Sequence, residues 1–311
     1  METSINSQNF SLRGGKIVRP NFDSLRAIPK EVKMSKEKEL QFLEMVQNAK
    51  DSLARCLPGV SIKEPTKFVF SPGVADVQQD RLFTGGAYVG KIQEQHVILL
   101  TADARIMSSE GQFTREQFEI GVIAILHELI HQAHAEIVGQ KNMMDENYQK
   151  ALGNLLPDTV DYSDIQRLFD NEATKPAGEG LSLRTAIQEG VATLGELIYV
   201  NSRVRDYGLE NDDKGVQILN RYHAYKIKSF ADALRLYQVD SVRTASHIFG
   251  TAYAIGVVKI MRGLYKKYGF ESIVKIVKKI DLDKCKDIRS NSPEFAAICE
   301  DVSLLPGLEE V

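Results

Sequence analysis

Two histidines four residues apart, with a glutamate beside the first, are the residues of this chain best suited to chemistry: His127-Glu128-Leu129-Ile130-His131. On an α-helix of 3.6 residues per turn, positions four apart lie on one face, so both imidazoles reach the same point in space. Neutral ring nitrogens suit a borderline-soft ion such as zinc. Glu128, about 100° round from His127, stands where a carboxylate takes a proton from water instead of ligating. Zinc lowers the pKa of its water from about 15.7 to near 7, which makes hydroxide available at neutral pH. A random chain of this composition contains HExxH on the order of one time in a hundred, and a solvated helix face is the simpler reading. The surroundings argue against it. Residues 121–133, GVIAILHELIHQA, flank the polar groups with apolar ones, and a buried polar cluster needs a partner such as a metal.

A catalytic zinc site takes three protein ligands and keeps one position open. The extended HExxHxxGxxH pattern is absent, because position 134 is itself histidine and no glycine follows in register. His134 lies on the same face a full turn beyond His131, too far to share the ion, and reads as a polar residue near a helix end. The better third ligand is Glu189 in IQEGVATLGE, 58 residues beyond His131. It opens a helical face of Glu189, Ala192, Thr193 and Glu196, and Gly190, Ala192 and Gly195 permit close approach to the first helix. A surface glutamate on a core helix is the competing reading. Glu172 in DNEATKP is the rival ligand, although Pro176 four residues later argues against a helix interior there.

Several elements must hold these residues. Residues 1–34 carry Gly14, Gly15, Pro20 and Pro29 without an apolar period and read as a flexible extension, with a propeptide or partner-binding tail as the alternative. Ser35 caps a predicted helix whose Leu40, Leu43, Val46, Leu53 and Leu57 recur at helical spacing until Pro58-Gly59. KFVFSP (67–72), GGAYVG (85–90) and HVILLTADARI (96–106) read as strands of a small sheet. A long helix follows Thr114, with a broad apolar face from Phe118 to Ile137, and stops at Gly139. Residues 140–180 are polar and irregular, like a connecting or lid-like insertion. A second core helix is predicted over 181–200, and further helices over roughly 214–238, 244–268 and 270–280. The outline is α+β.

Composition narrows the partners. The 311 residues are 43% apolar and 26% charged with a net charge of -3, which gives no support for a nucleic-acid or membrane-surface partner. The N-terminus lacks a secretory apolar core, and no window approaches eighteen uninterrupted apolar residues. Cys56, Cys285 and Cys299 form no CxxC pair and read as free thiols of a reducing, cytoplasmic compartment. Cys56 reads as a buried structural thiol, and a latency cap on the metal is the alternative.

His127-Glu128-Leu-Ile-His131 followed by Glu189-Gly-Val-Ala192 resembles the gluzincin metallopeptidases, whose downstream signature is often EGxA. TAYAIGVVKIM, residues 251–261, is similar to the YxxG stretch of aminopeptidase N-like gluzincins, which implies that Tyr253 steadies the oxyanion. A core aromatic is the other reading of Tyr253, and His247 in SHIFG is the alternative donor. The resemblance covers roughly residues 115–280. No GxMEN exopeptidase motif precedes the helix, so aminopeptidase activity is not implied. Thermolysin-like enzymes orient a ligand histidine with an Asp four residues after the third ligand; Thr193 stands there, and Glu196 is the substitute. The resemblance implies a zincin-like fold: an N-terminal lobe (35–139) with a small mixed sheet and the HExxH helix, and a mainly helical C-terminal lobe (140–311) carrying the third ligand. It implies one Zn2+ held by His127, His131 and Glu189, and an endopeptidase in which Glu128 is general base and Tyr253 the electrophilic helper. A strand within 85–106 would pair with a peptide or protein substrate. Two alternatives stay open: a non-catalytic zincin-fold protein that binds metal or peptide, and a zinc hydrolase acting on a non-peptide substrate. The presence of Glu128 favours an enzyme.

Overall fold

The computed structural model describes residues 34–57, 59–73, 82–92, 95–139, 181–206, 214–238 and 245–308, together with 12–13 and 16–17. Those last two pairs form a minimal antiparallel ladder, β1 (Leu12–Arg13) with β2 (Lys16–Ile17). The rest of the predicted flexible extension, and the insertion at 140–180 with Glu172, lie outside the described residues.

Helix α1 (Lys36–Cys56) starts as predicted, with the Ser35 side chain accepting from the Lys38 amide. Its inward face differs from the leucine pattern. Phe42, Met45, Val46, Ala49, Leu53 and Cys56 are buried, whereas Leu40 and Leu43 are 61% and 57% exposed. Phe42 sets this rotation: its ring meets Phe68, Phe70 and Phe83 edge-on at centroid distances of 5.5, 5.0 and 6.5 Å, contacts that add to an already large aromatic burial.

The sheet is small and mixed, as expected. β3 (Thr66–Gly73) runs parallel to β5 (Gln95–Asp103), and β4 (Phe83–Ile92) runs antiparallel to it, in the order β3-β5-β4. Val97, Ile98, Leu99 and Leu100 make β5 a continuous apolar run because it is central and covered on both faces. The predicted strand to 106 stops at Asp103. There the carboxylate accepts from the amides of Arg105 and Ile106 and caps a short helix, α2 (Ala104–Ser108).

Helix α3 (Arg115–Val138) carries HExxH. A capping box between Thr114 and Gln117 opens it, and Gly139, at a φ of 70°, closes it in the left-handed conformation that glycine adopts without strain. Residues from Gln117 to Ala135 are buried on nearly every side, which is the signature of a core helix. Met45 of α1 packs against Gly121 on one side, and β4 lies on another.

Helix α4 (Leu183–Asp206) runs six residues beyond its predicted end. Gly195 faces Ile130 of α3, as close packing requires. Gly190 does not. It meets the backbone of Gly256 on the helix formed by α6 (Ala245–Ile255), a π-helical stretch (Gly256–Met261) and α7 (Arg262–Tyr268). Between them, α5 (Lys214–Gln238) packs on α4 and α6. The helix predicted over 270–280 is shorter: a 3-10 turn leads into α8 (Ile273–Val277), followed by α9 (Leu282–Cys285) and α10 (Pro293–Glu300). Among the described residues, no helix is long and apolar enough to cross a membrane.

Candidate metal centre

The turn spacing of α3 brings His127 and His131 together, and the Gly195 contact lets α4 bring Glu189 to them. The two Nε2 atoms lie 3.0 Å apart, and Glu189 Oε2 lies 3.3 Å from the first and 3.5 Å from the second. Three donors around a tetrahedral ion at about 2.0–2.1 Å stand roughly 3.3 Å from one another. The triangle already has the size of a zinc site.

Charge points the same way. Among the described residues, Glu128, Glu189 and Glu196 converge on the two imidazoles, and Lys226 pairs with Glu196. With neutral histidines, this buried cluster carries two negative charges in excess, the charge of a divalent cation. Glu189 Oε2 is buried with no hydrogen-bond partner among the described residues, although it faces both rings. His127 shows the same imbalance: burial lowers its pKa, but Glu196, Glu189 and Glu128 outweigh that and raise it to about 10. Burial also opposes ionisation of Glu189, yet His131 and His127 hold its carboxyl well below the ordinary carboxylate range. The residues present fit one divalent cation of the zinc type.

His127 is oriented from behind. Glu196 Oε1 lies 2.5 Å from His127 Nδ1, while Oε2 accepts from the Tyr222 hydroxyl at 2.8 Å and pairs with Lys226 at 3.0 Å. Engaging Nδ1 in this way aims Nε2 at the triangle, and in a neutral ring that nitrogen is the one that carries the lone pair. Thr193 is fully buried and its hydroxyl has no partner among the described residues, so Glu196 and not Thr193 fills the orienting position. Glu196→Gln, titrated with zinc against a competing chelator, should bind about 10–100-fold more weakly than wild type.

Glu128 is 6% exposed and faces β4, where a Cβ on Gly86 would come within 2.7 Å of its Oε1. The Tyr88 amide donates to its carboxylate. Burial raises the pKa of Glu128, against the pull of His127 and His131. A base wants this direction, towards the working pH.

Tyr253 is half-buried, its ring centroid 5.7 Å from that of His127, and Lys226 Nζ lies over the tyrosine ring, 5.3 Å from its centroid. Its hydroxyl donates to Glu189. Burial and the neighbouring carboxylates raise its pKa, so the hydroxyl remains a donor. Glu172 and the side chain of His247 fall outside the described residues.

Sequence reasoning missed Tyr222, Lys226, Gly86 and Tyr88. Tyr222 and Lys226 stand four apart on one face of α5, and that spacing was their signal. The Gly85-Gly86 pair within a strand was the other, since glycine there marks close approach by a neighbour.

His134 is 3% exposed, and neither ring nitrogen has a partner among the described residues. It lies beside Leu57, Val60, Ile137 and Val191 and does not join the triangle. Burial, with His131 and Arg184 adding to it, lowers its pKa to about 3. The unfolded imidazole takes its proton near 6.5, so its neutral burial favours the fold above that pH, and the contribution drains away as pH falls towards 3. Denaturant unfolding from pH 7 to 4 should show wild type losing more stability than His134→Leu, with the gap growing by up to about 1.4 kcal/mol per pH unit.

Neither a protein-family model, nor a curated protein, nor a solved structure matches this chain.

Proposed function

We propose that the chain is a zinc-dependent peptidase of the gluzincin type, zincin-like in architecture, that holds one Zn2+ through His127, His131 and Glu189. The observation that carries this reading is the buried triangle of two Nε2 atoms and one Oε2, with sides of 3.0, 3.3 and 3.5 Å. When bound, the metal supplies Lewis acidity towards the scissile carbonyl and towards water. The remaining work falls to the chain. Glu128 takes the proton of the attacking water and delivers it to the leaving amine. Tyr253, protonated and close to His127, donates to the developing oxyanion in exchange for its Glu189 partner.

β4 is the edge of the three-stranded sheet beside Glu128, with Gly85 and Gly86 exposed. An extended peptide adds to that edge, which suits cleavage within a chain and an unstructured substrate. β5, also within the span predicted for this role, is central and so is not the pairing edge. The cysteines are free, with Cys56 and Cys285 buried, in keeping with a reducing cytoplasmic setting.

The test is incubation of the zinc-loaded protein with a quenched peptide library and with a denatured protein. Hydrolysis that a chelator abolishes and zinc restores is the expected result. A zinc-loaded protein that cleaves neither would refute the peptidase reading and leave a binding protein or a hydrolase of other substrates.

A further inference from the structure

We propose that His96 is a positioning residue for this site: through Tyr88 it holds the β4 edge at a set distance from Glu128, and so fixes where an extended substrate lies. The inference rests on the peptidase reading, and it starts from two irregularities in the sheet. The β4 ladder with β5 shifts register between Phe83 and Gly85 and again between Tyr88 and Gly90. The segment between those shifts faces Glu128, with Gly86 against its carboxylate and the Tyr88 amide donating to it. Between the shifts Gly85 to Tyr88 pair with Thr101 to Ile98; the irregularities at either end bend the edge locally, and a side chain anchored at one of them sets how close the segment comes to Glu128.

Tyr88 is that anchor. It is 4% exposed, its hydroxyl lies 2.6 Å from His96 Nδ1, and its ring stacks on the imidazole at 5.7 Å and 25°. Burial keeps the Tyr88 hydroxyl protonated. It therefore donates to Nδ1, and the opposite nitrogen, Nε2, donates to Glu64 at 3.0 Å. The groups facing His96 are Tyr88, Glu64, which Lys91 of β4 pairs at 2.8 Å, and Glu136 of α3 at 3.8 Å. Gln132 of α3 closes the set: its amide donates to Glu136 and to the Glu64 carbonyl, and its oxygen accepts from Thr66. His96 thus stands where β3, β4, β5 and the HExxH helix are joined by polar contacts, with a single residue, Tyr88, linking it to Glu128 through its hydroxyl on one side and its amide on the other.

Two variants test this, Tyr88→Phe, which removes one hydroxyl, and His96→Phe, which keeps a ring and loses both hydrogen bonds. Each should lower kcat about tenfold, since small misplacement of a base is costly, while zinc stoichiometry stays at one. The double variant should be no worse than the worse single, and His96→Gln should recover part of the loss. Hydrogen exchange read on the metal-loaded proteins supplies an arm independent of activity: the amides of residues 86–88 should exchange at least tenfold faster in both variants, with α3 unchanged. An inactive wild type would sink the peptidase reading alone, and the exchange arm would still decide the positioning role. Unchanged exchange at 86–88, or additive losses of kcat in the double variant, would overturn it.

Discussion

Glu128→Gln should retain one equivalent of zinc and lose about 10²–10⁴-fold in kcat. Glutamine has the shape of glutamate, and its amide oxygen still accepts from the Tyr88 amide. It also fits beneath Gly86, where a Cβ would come within 2.7 Å of the Oε1 position. What it cannot do is take a proton. Because Glu128 is outside the triangle of His127, His131 and Glu189, this one substitution should separate the proposed metal binding from the proposed base catalysis. Zinc content by metal analysis and turnover on the most rapidly cleaved library peptide read the two halves. Turnover that survived with zinc in place would refute the role given to Glu128.

The second large effect is remote from the ligands. Gly256→Ala should destabilise the fold by about 3 kcal/mol or more. A Cβ at 256 would stand 2.1 Å from the Ala186 carbonyl oxygen and 2.7 Å from the Gly190 Cα, so it meets backbone that cannot step aside without separating two helices. Those helices carry Glu189, next to Gly190, and Tyr253, three residues before Gly256. Weaker zinc binding should therefore accompany the lower denaturation midpoint. Gly139→Ala is the control: nothing lies within 4 Å of its Cβ position, so the cost is that of the left-handed backbone alone, about 1 kcal/mol. Similar midpoints for the two variants would contradict the helix contact.

The contrast between these sites shows what a sequence carries. The α3 pair was legible because helical spacing and an apolar flank are local properties of residues 121–133. Glu189 and Glu196 were legible because they share a face of one helix with small residues between them. Partners chosen by tertiary packing were not. Gly190 was expected against α3 but meets Gly256, 66 residues later, since a glycine permits close approach without naming the neighbour. Leu40 and Leu43 matched a helical period, yet Phe42 won the core face through three rings on two strands, β3 and β4, that no period of α1 encodes. Tyr222 and Lys226 reach Glu196 only because α5 folds back on α4. The end of β5 at Asp103 was readable as a cap and was masked by the apolar residues after it.

X-ray absorption at the zinc edge, on protein loaded with one equivalent, tests the central claim most directly. Two nitrogens and at least one oxygen at about 2.0–2.1 Å, without sulfur near 2.3 Å, are predicted, and Glu189→Ala should change that shell. Failure to bind zinc stoichiometrically, or a shell identical in wild type and Glu189→Ala, would contradict the account.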